Sequence, residues 1–127
     1  MATITYTVEN LIGGVKIVTW SPLVAANLDG TPFVCPMFAD KSIQVYGTFG
    51  GATVTVQGSN DSSSPTYATL ADPQGNALTI TLAKIEQVLE NTYTVRPLVS
   101  GADGTTSLTV KMLVSTPTAY DISVANA

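Results

Sequence analysis

The sequence predicts an all-β protein, an antiparallel β-sandwich of jelly-roll-like or Ig-like type with extended N-terminal and C-terminal arms. Three observations carry that expectation. Apolar and polar residues alternate with a period of two along most of the chain, β-branched residues fill those stretches, and Gly, Pro, Asn and Asp clusters punctuate them. At 127 residues the chain is long enough for one domain whose core needs neither disulfides nor metal.

The elements follow in order. Ile4, Tyr6 and Val8 alternate near the N-terminus, and GVKIVTW reads as a further strand. Residues 20–39, WSPLVAANLDGTPFVCPMFA, are mostly apolar, contain three prolines and have no clear period. An apolar connection of that length is unusual, because loops normally face water. Either it folds back over the open ends of the sandwich or it is an arm that buries its apolar side chains against other subunits. The tail STPTAYDISVANA from Ser115 poses the same choice. The expectation adopted is the arm, with Trp20, Leu23, Val24, Phe33, Met37, Phe38, Tyr120, Ile122 and Val124 at inter-subunit or partner contacts. This divides the chain into residues 1–39 (N-terminal strands and arm), 40–114 (sandwich core) and 115–127 (tail).

The most regular stretch is SIQVYGTFGGATVTVQGSND, Ser42 to Asp61. With Gly50-Gly51 as a type I′ turn it predicts a hairpin. Phe49 then faces Ala52, Gly47 faces Val54 and Val45 faces Val56, with Thr, Tyr and Gln on the opposite face. ADPQGN predicts a turn before a strand from Ala77 to Leu82, with Leu78, Ile80 and Leu82 inward. IEQVLEN (Ile85 to Asn91) reads equally as one helical turn or an edge strand. Thr92 to Val99 places Tyr93, Val95 and Val99 on one side, and Pro97 suggests an edge or a bulge. The loop SGADGTT leads to Ser107–Val114, with Leu108, Val110, Met112 and Val114 inward.

Composition narrows the function. Charged residues are 11% of the chain, against about 25% in an average soluble protein. Neutral side chains must therefore cover the surface, and weak repulsion favours association. Five Lys and Arg under a net charge of −4 cannot line a phosphate track, so nucleic acid is not expected as a partner. No segment approaches the ~18–20 apolar residues of a membrane span, so no membrane partner is expected, and MATITYTVEN lacks the pattern of a secretory signal. The single cysteine, Cys35, rules out an internal disulfide, fits a reducing cytosol and reads as a packed hydrophobe.

Histidine is absent, and no nucleophile elbow, P-loop or zinc-type cysteine pair occurs. Asp61 and Asp103 lie in Ser-, Gly- and Asn-rich loops, where Asp caps turns. SNDSSS lacks the spaced oxygen ligands of a calcium loop, and Glu86 and Glu90 near Lys84 read as a solvated patch. No catalytic, metal or cofactor residue is assigned, and no enzyme is expected. Arg96, in TVRPLV, is the one arginine. It is either solvent-facing or an inter-subunit ion pair or hydrogen bond, and it joins the expected interface set.

The strings YGTFGGATVTVQGSND, LADPQGNALT and IEQVLENTYTVRPLVSGADGTTSLTV together resemble the small β-sandwich head decoration, or cement, proteins of tailed bacteriophages. The resemblance covers roughly residues 40–114 and is clearest at Gly47–Asp61. It implies a homotrimer that binds the major capsid protein at three-fold and quasi-three-fold positions, outside the shell of a virion assembled in the host cytoplasm. The alternative reading is a tail or head-fibre module whose Trp20, Tyr46, Tyr67 or Tyr93 stacks on host glycans.

Overall fold

The computed structural model describes residues 3–116. Among these residues are twelve strands and one 3-10 turn, Ile12–Gly14. The strands are β1 (Thr3–Ile4), β2 (Thr7–Asn10), β3 (Lys16–Val24), β4 (Asp29–Gly30), β5 (Phe33–Val34) and β6 (Asp40–Thr48). They continue with β7 (Thr53–Ser59), β8 (Ala68–Thr69), β9 (Thr79–Ile80), β10 (Lys84–Gln87), β11 (Thr94–Ser100) and β12 (Ser107–Ser115). Two sheets result, one of five strands in the order β10-β6-β12-β3-β2, the other of seven with the path β1-β4-β11-β7-β8. In the second sheet β5 also pairs with β11 and β9 with β7, and only β1 with β4 runs parallel. This is the predicted β-sandwich.

The inward phase was legible from sequence. Leu108, Val110, Met112 and Val114 on β12, with Ile43 and Val45 on β6, face Val54 and Val56 on β7 and Val95 and Val99 on β11, all buried. Each such aliphatic side chain contributes about 1.5–3 kcal/mol when fully buried. Leu82 departs from expectation. The strand ends at Ile80, bends follow at Thr81–Ala83, and Leu82 is left exposed.

The partner of the opening stretch also differs from the prediction. Gly50 and Gly51 do form a tight turn with positive φ (58° and 85°), closed by Ala52 N–H donating to Phe49 O at 2.9 Å. Yet β6 and β7 do not pair. β6 is hydrogen-bonded to β10 and β12, and β7 to β11, β8 and β9, so the turn carries the chain from one sheet to the other as an arch. A hairpin sets two apolar faces side by side, whereas an arch sets them face to face. The alternation satisfies both.

Gly47 lies at the departure point. Its φ is 125°, and a Cβ there would stand 2.3 Å from the Ser107 carbonyl oxygen of β12. The loop from β11 to β12 makes the same crossing, and Thr106 Oγ1 donates to Phe49 O at 2.8 Å, tying the two arches together.

The N-terminal third is not an arm. Residues 3–34 supply β1–β5 to both sheets. Trp20 is fully buried, its Nε1–H donates to Thr31 O at 2.8 Å, and Tyr6 meets its ring edge-on at 6.0 Å. Tyr6 in turn packs edge-on against Phe33 at 5.2 Å, and Phe33 stacks on Phe38. This aromatic chain holds residues 20–38 against the sandwich that they were expected to leave. The lost periodicity has a local cause. Ser21 and Pro22 form a bulge opposite Thr109, so the register shifts between Leu108 and Val110.

Pro97 is likewise not at an edge. It pairs with Val56 in the middle of its sheet, at a point where β5 meets Thr94 and Val95 and β4 meets Leu98, and the gap between those short strands requires no N–H from position 97. Of IEQVLEN, Ile85 to Gln87 belong to edge strand β10, with no helical turn, and residues 88–91 are irregular.

Replacing Gly47 by Val is expected to cost at least about 3 kcal/mol in urea unfolding, because both the positive φ and the Ser107 backbone oppose it. Phe49, half-buried at the arch, is expected to lose about 1–2 kcal/mol as Ala, below the ~3–5 kcal/mol of a fully enclosed phenylalanine. Equal losses for the two variants would contradict the arch.

Candidate functional site

The acidic side chains serve turns. Asp72 accepts N–H bonds from Gln74 (3.0 Å) and Asn76 (2.9 Å), and Asp61 accepts from Thr66 N–H at 2.9 Å. Glu90 accepts Ala71 N–H at 2.8 Å, so it is not part of the solvated patch expected for it. Lys84 and Glu86 do form an exposed ion pair at 3.2 Å. Asp103 accepts from the Thr105 N–H (2.7 Å) and hydroxyl (2.6 Å). The Thr105 hydroxyl, then its N–H, hold the Asp103 carboxyl below its ordinary 3.8, and for Asp72 the Asn76 N–H has the leading part. Among the described residues no group of His, Cys, Asp and Glu is arranged to hold a metal ion.

One charged residue escaped the sequence reading. Lys41 is 2% exposed, and its Nζ donates to Phe38 O (3.1 Å) and Asn91 Oδ1 (2.8 Å). It tethers the turn before β6 to the segment after β10. The signal was present, since the inward phase of Lys41, Ile43 and Val45 places the lysine inside. Burial lowers its pKa and raises that of the neighbouring Cys35 thiol, which is also fully buried.

The expected interface residues fall into three groups. Trp20, Leu23, Phe33 and Phe38 are core residues of their own chain, which corrects their assignment to inter-subunit contact. The aromatic chain and the bulge in β3 are the physical reasons. Arg96 is also engaged internally. Its Nε donates to Gln57 Oε1 at 3.0 Å across the β11–β7 pair, and its guanidinium stacks on Tyr67 at 3.7 Å from the ring centroid. Val24 is half-buried and Met37 exposed, so both remain open to a partner. Tyr120, Ile122 and Val124 lie outside the described residues.

The surface suited to association is a different one, the outer face of the five-stranded sheet. Directly opposed residues share a face, which aligns Glu9, Ile17, Leu113, Ser42 and Gln87 in one row. Thr7, Thr19, Lys111, Gln44 and Ile85 form the next, and Thr109 with Tyr46 a third. Ile85 is 61% exposed, Leu113 44% and Tyr46 37%. Ile17, Ile85 and Leu113 line a shallow depression of about 220 Å³ with Ser42, Gln44 and Lys111. The hint in sequence was Leu113, an apolar residue in the outward phase of Thr109 and Lys111.

No family model matches the chain, and no curated protein matches it. Among solved structures it is similar to the SPBc2 prophage-derived protein YomS, with 13% sequence identity and a TM-score of 0.54. The match covers 84% of this chain and 98% of that one, and at this identity it concerns the fold alone.

Asp103 gives the arches an acid-sensitive pin. Its folded pKa is lowered, so its contribution is complete above 3.8 and is lost as pH falls through the folded value, where the native carboxylate finally takes the proton. Asp103→Asn is expected to flatten the decline of melting temperature below about pH 4. An unchanged slope would remove Asp103 from that role.

Proposed function

We propose that this protein is a structural component of a tailed-bacteriophage virion, a trimeric decoration protein that binds the outside of the capsid and stabilises it. The observation that carries the reading is the outer face of the five-stranded sheet, where Ile17, Ile85, Leu113 and Tyr46 stand among Thr, Ser and Gln, with Lys111 the one central charge. Such a face gains little from screened ion pairs and much from covered apolar area. The sequence resemblance over residues 40–114 and the fold shared with a prophage-derived protein support the same assignment.

In this reading the major capsid protein covers the neutral face, and three copies grip one three-fold position. An obligate trimer buries at least about 2,000 Å² in all. Linked contacts raise avidity roughly 10²–10⁴-fold over one contact, and binding only the assembled shell adds about 2.7 kcal/mol per site at ~100 times the dissociation constant. The protein then acts through mass action and geometry, with no catalytic step and no cofactor. The glycan-binding alternative is weakened at particular residues, because Trp20 is inside the core and Tyr67 lies under Arg96.

The test uses purified protein and mature, undecorated heads of the parent phage. The expected result is a trimer by light scattering that raises the melting temperature of the heads. Ile85→Glu and Leu113→Glu are expected to weaken head binding at least about tenfold while leaving the protein's own melting temperature within a few degrees, since both side chains are solvent-exposed. A protein that ignores heads, or variants that bind them undiminished, would refute the reading.

A further inference from the structure

The end of the sandwich away from the two arches holds a buried amine against a side-chain amide. Lys41, the second residue of β6, belongs to the five-stranded sheet. Asn91 lies just before β11 of the other sheet. Lys41 Nζ is 2.8 Å from Asn91 Oδ1. Because a C=O bond is about 1.2 Å long, the Asn91 carbonyl carbon Cγ is at most about 4 Å from that nitrogen. Atoms poised for attack stand roughly 3–3.5 Å apart, so a small adjustment completes the approach.

The backbone holds the two groups in place from several sides. Val88 N–H donates to the Lys41 carbonyl at 2.9 Å and Leu89 N–H to Ala71 O at 2.8 Å, while Glu90 accepts the Ala71 N–H. Past Asn91, Cys35 N–H donates to Tyr93 O at 2.8 Å. The segment carrying the amide is thus fixed before and after it, which lowers the entropic cost of a reaction between the side chains. Chemistry agrees with geometry. Lys41 is 2% exposed, and burial lowers its pKa against the opposing pull of Cys35, Asp40 and Glu90, which favours the neutral, nucleophilic amine. Phe38 O and Asn91 Oδ1 accept two hydrogen bonds from Nζ, the number a neutral amine can donate. Glu90 adjoins Asn91 in the chain and acts on the lysine's charge, so a carboxylate able to relay a proton stands beside the pair. Asn91 itself is exposed, so a small leaving group has a way out.

We infer that Lys41 and Asn91, held 2.8 Å apart between the two sheets, join in an intramolecular isopeptide bond. The lone pair of the neutral Nζ attacks Asn91 Cγ and the Nζ–Cγ bond forms. One amine proton passes to Nδ2, the Cγ–Nδ2 bond breaks with its electron pair going to that nitrogen, and ammonia leaves. No oxidant, metal or second substrate is consumed. A chain with one cysteine has no disulfide to staple its layers, and this amide does so at the end that the arches leave open. The bond does not depend on what covers the five-stranded face.

Intact mass spectrometry of the purified full chain tests the bond. The protein is expected to be lighter than its sequence requires by one ammonia, and a tryptic digest to contain one branched peptide in which Lys41 is joined to Asn91. Lys41→Arg and Asn91→Ala, each measured against its own sequence, are expected to keep the full mass and to give two linear peptides instead. The bond closes a loop across a separation of 50 residues, so the full chain is expected to melt roughly 10–20 °C above both variants. The decisive mass is that of the unsubstituted protein, so a variant that fails to fold leaves the test intact. A full chain at the unbridged mass would overturn the inference. So would an ammonia loss that maps to other residues or persists in Lys41→Arg.

Discussion

The fold depends on two crossings made side by side. The chain passes between sheets at Phe49–Ala52 and again at Gly101–Thr106, and the Thr106 hydroxyl joins the crossings through the Phe49 carbonyl. Each long central strand is therefore continued in the opposite layer, β6 by β7 and β11 by β12. With both layers fixed at one end, the rest of the packing follows from which side of each strand is apolar. The backbone at this end is specialised for the approach, with positive φ at Gly47, Gly50, Gly51 and Gly101. Asp103 adds the hydrogen bonds that keep the second loop in shape.

Faces were legible in the sequence and partners were not. Alternation located the inward residues of β6, β7, β11 and β12, because period two is a local property of a pleated strand. It could not decide whether the Gly-Gly turn makes a hairpin or an arch, since that is settled by β12 and β10 arriving from far along the chain to occupy both edges of β6. Residues 20–38 misled for a related reason. The bulge at Ser21-Pro22 and the short strands β4 and β5 erase periodicity, while Trp20, Tyr6, Phe33 and Phe38 hold one another by ring contacts that no spacing rule records. Arg96 follows the same rule, since its partners Gln57 and Tyr67 adjoin it only in the folded chain.

Shortage of charge remains the property that links sequence to proposed role. The few ionic groups are largely committed locally. Lys41 is sealed inside, Asp61, Asp72, Asp103 and Glu90 brace turns, and Arg96 covers a tyrosine. Apart from Glu9 at its margin and Lys111 at its centre, what remains on the five-stranded face is hydroxyl, amide, aliphatic and tyrosine surface. Such a surface repels little and so suits permanent neighbours better than solitary life in solution.

The Lys84–Glu86 pair has a further consequence. Both residues belong to β10, which terminates its sheet among the described residues, and a flat unguarded margin of that kind would recruit strand after strand from other molecules. Ionic side chains on the outermost strand make each such addition costly by stripping hydration. Growth sideways into fibrils is thus discouraged, while contact through the broad face stays permitted.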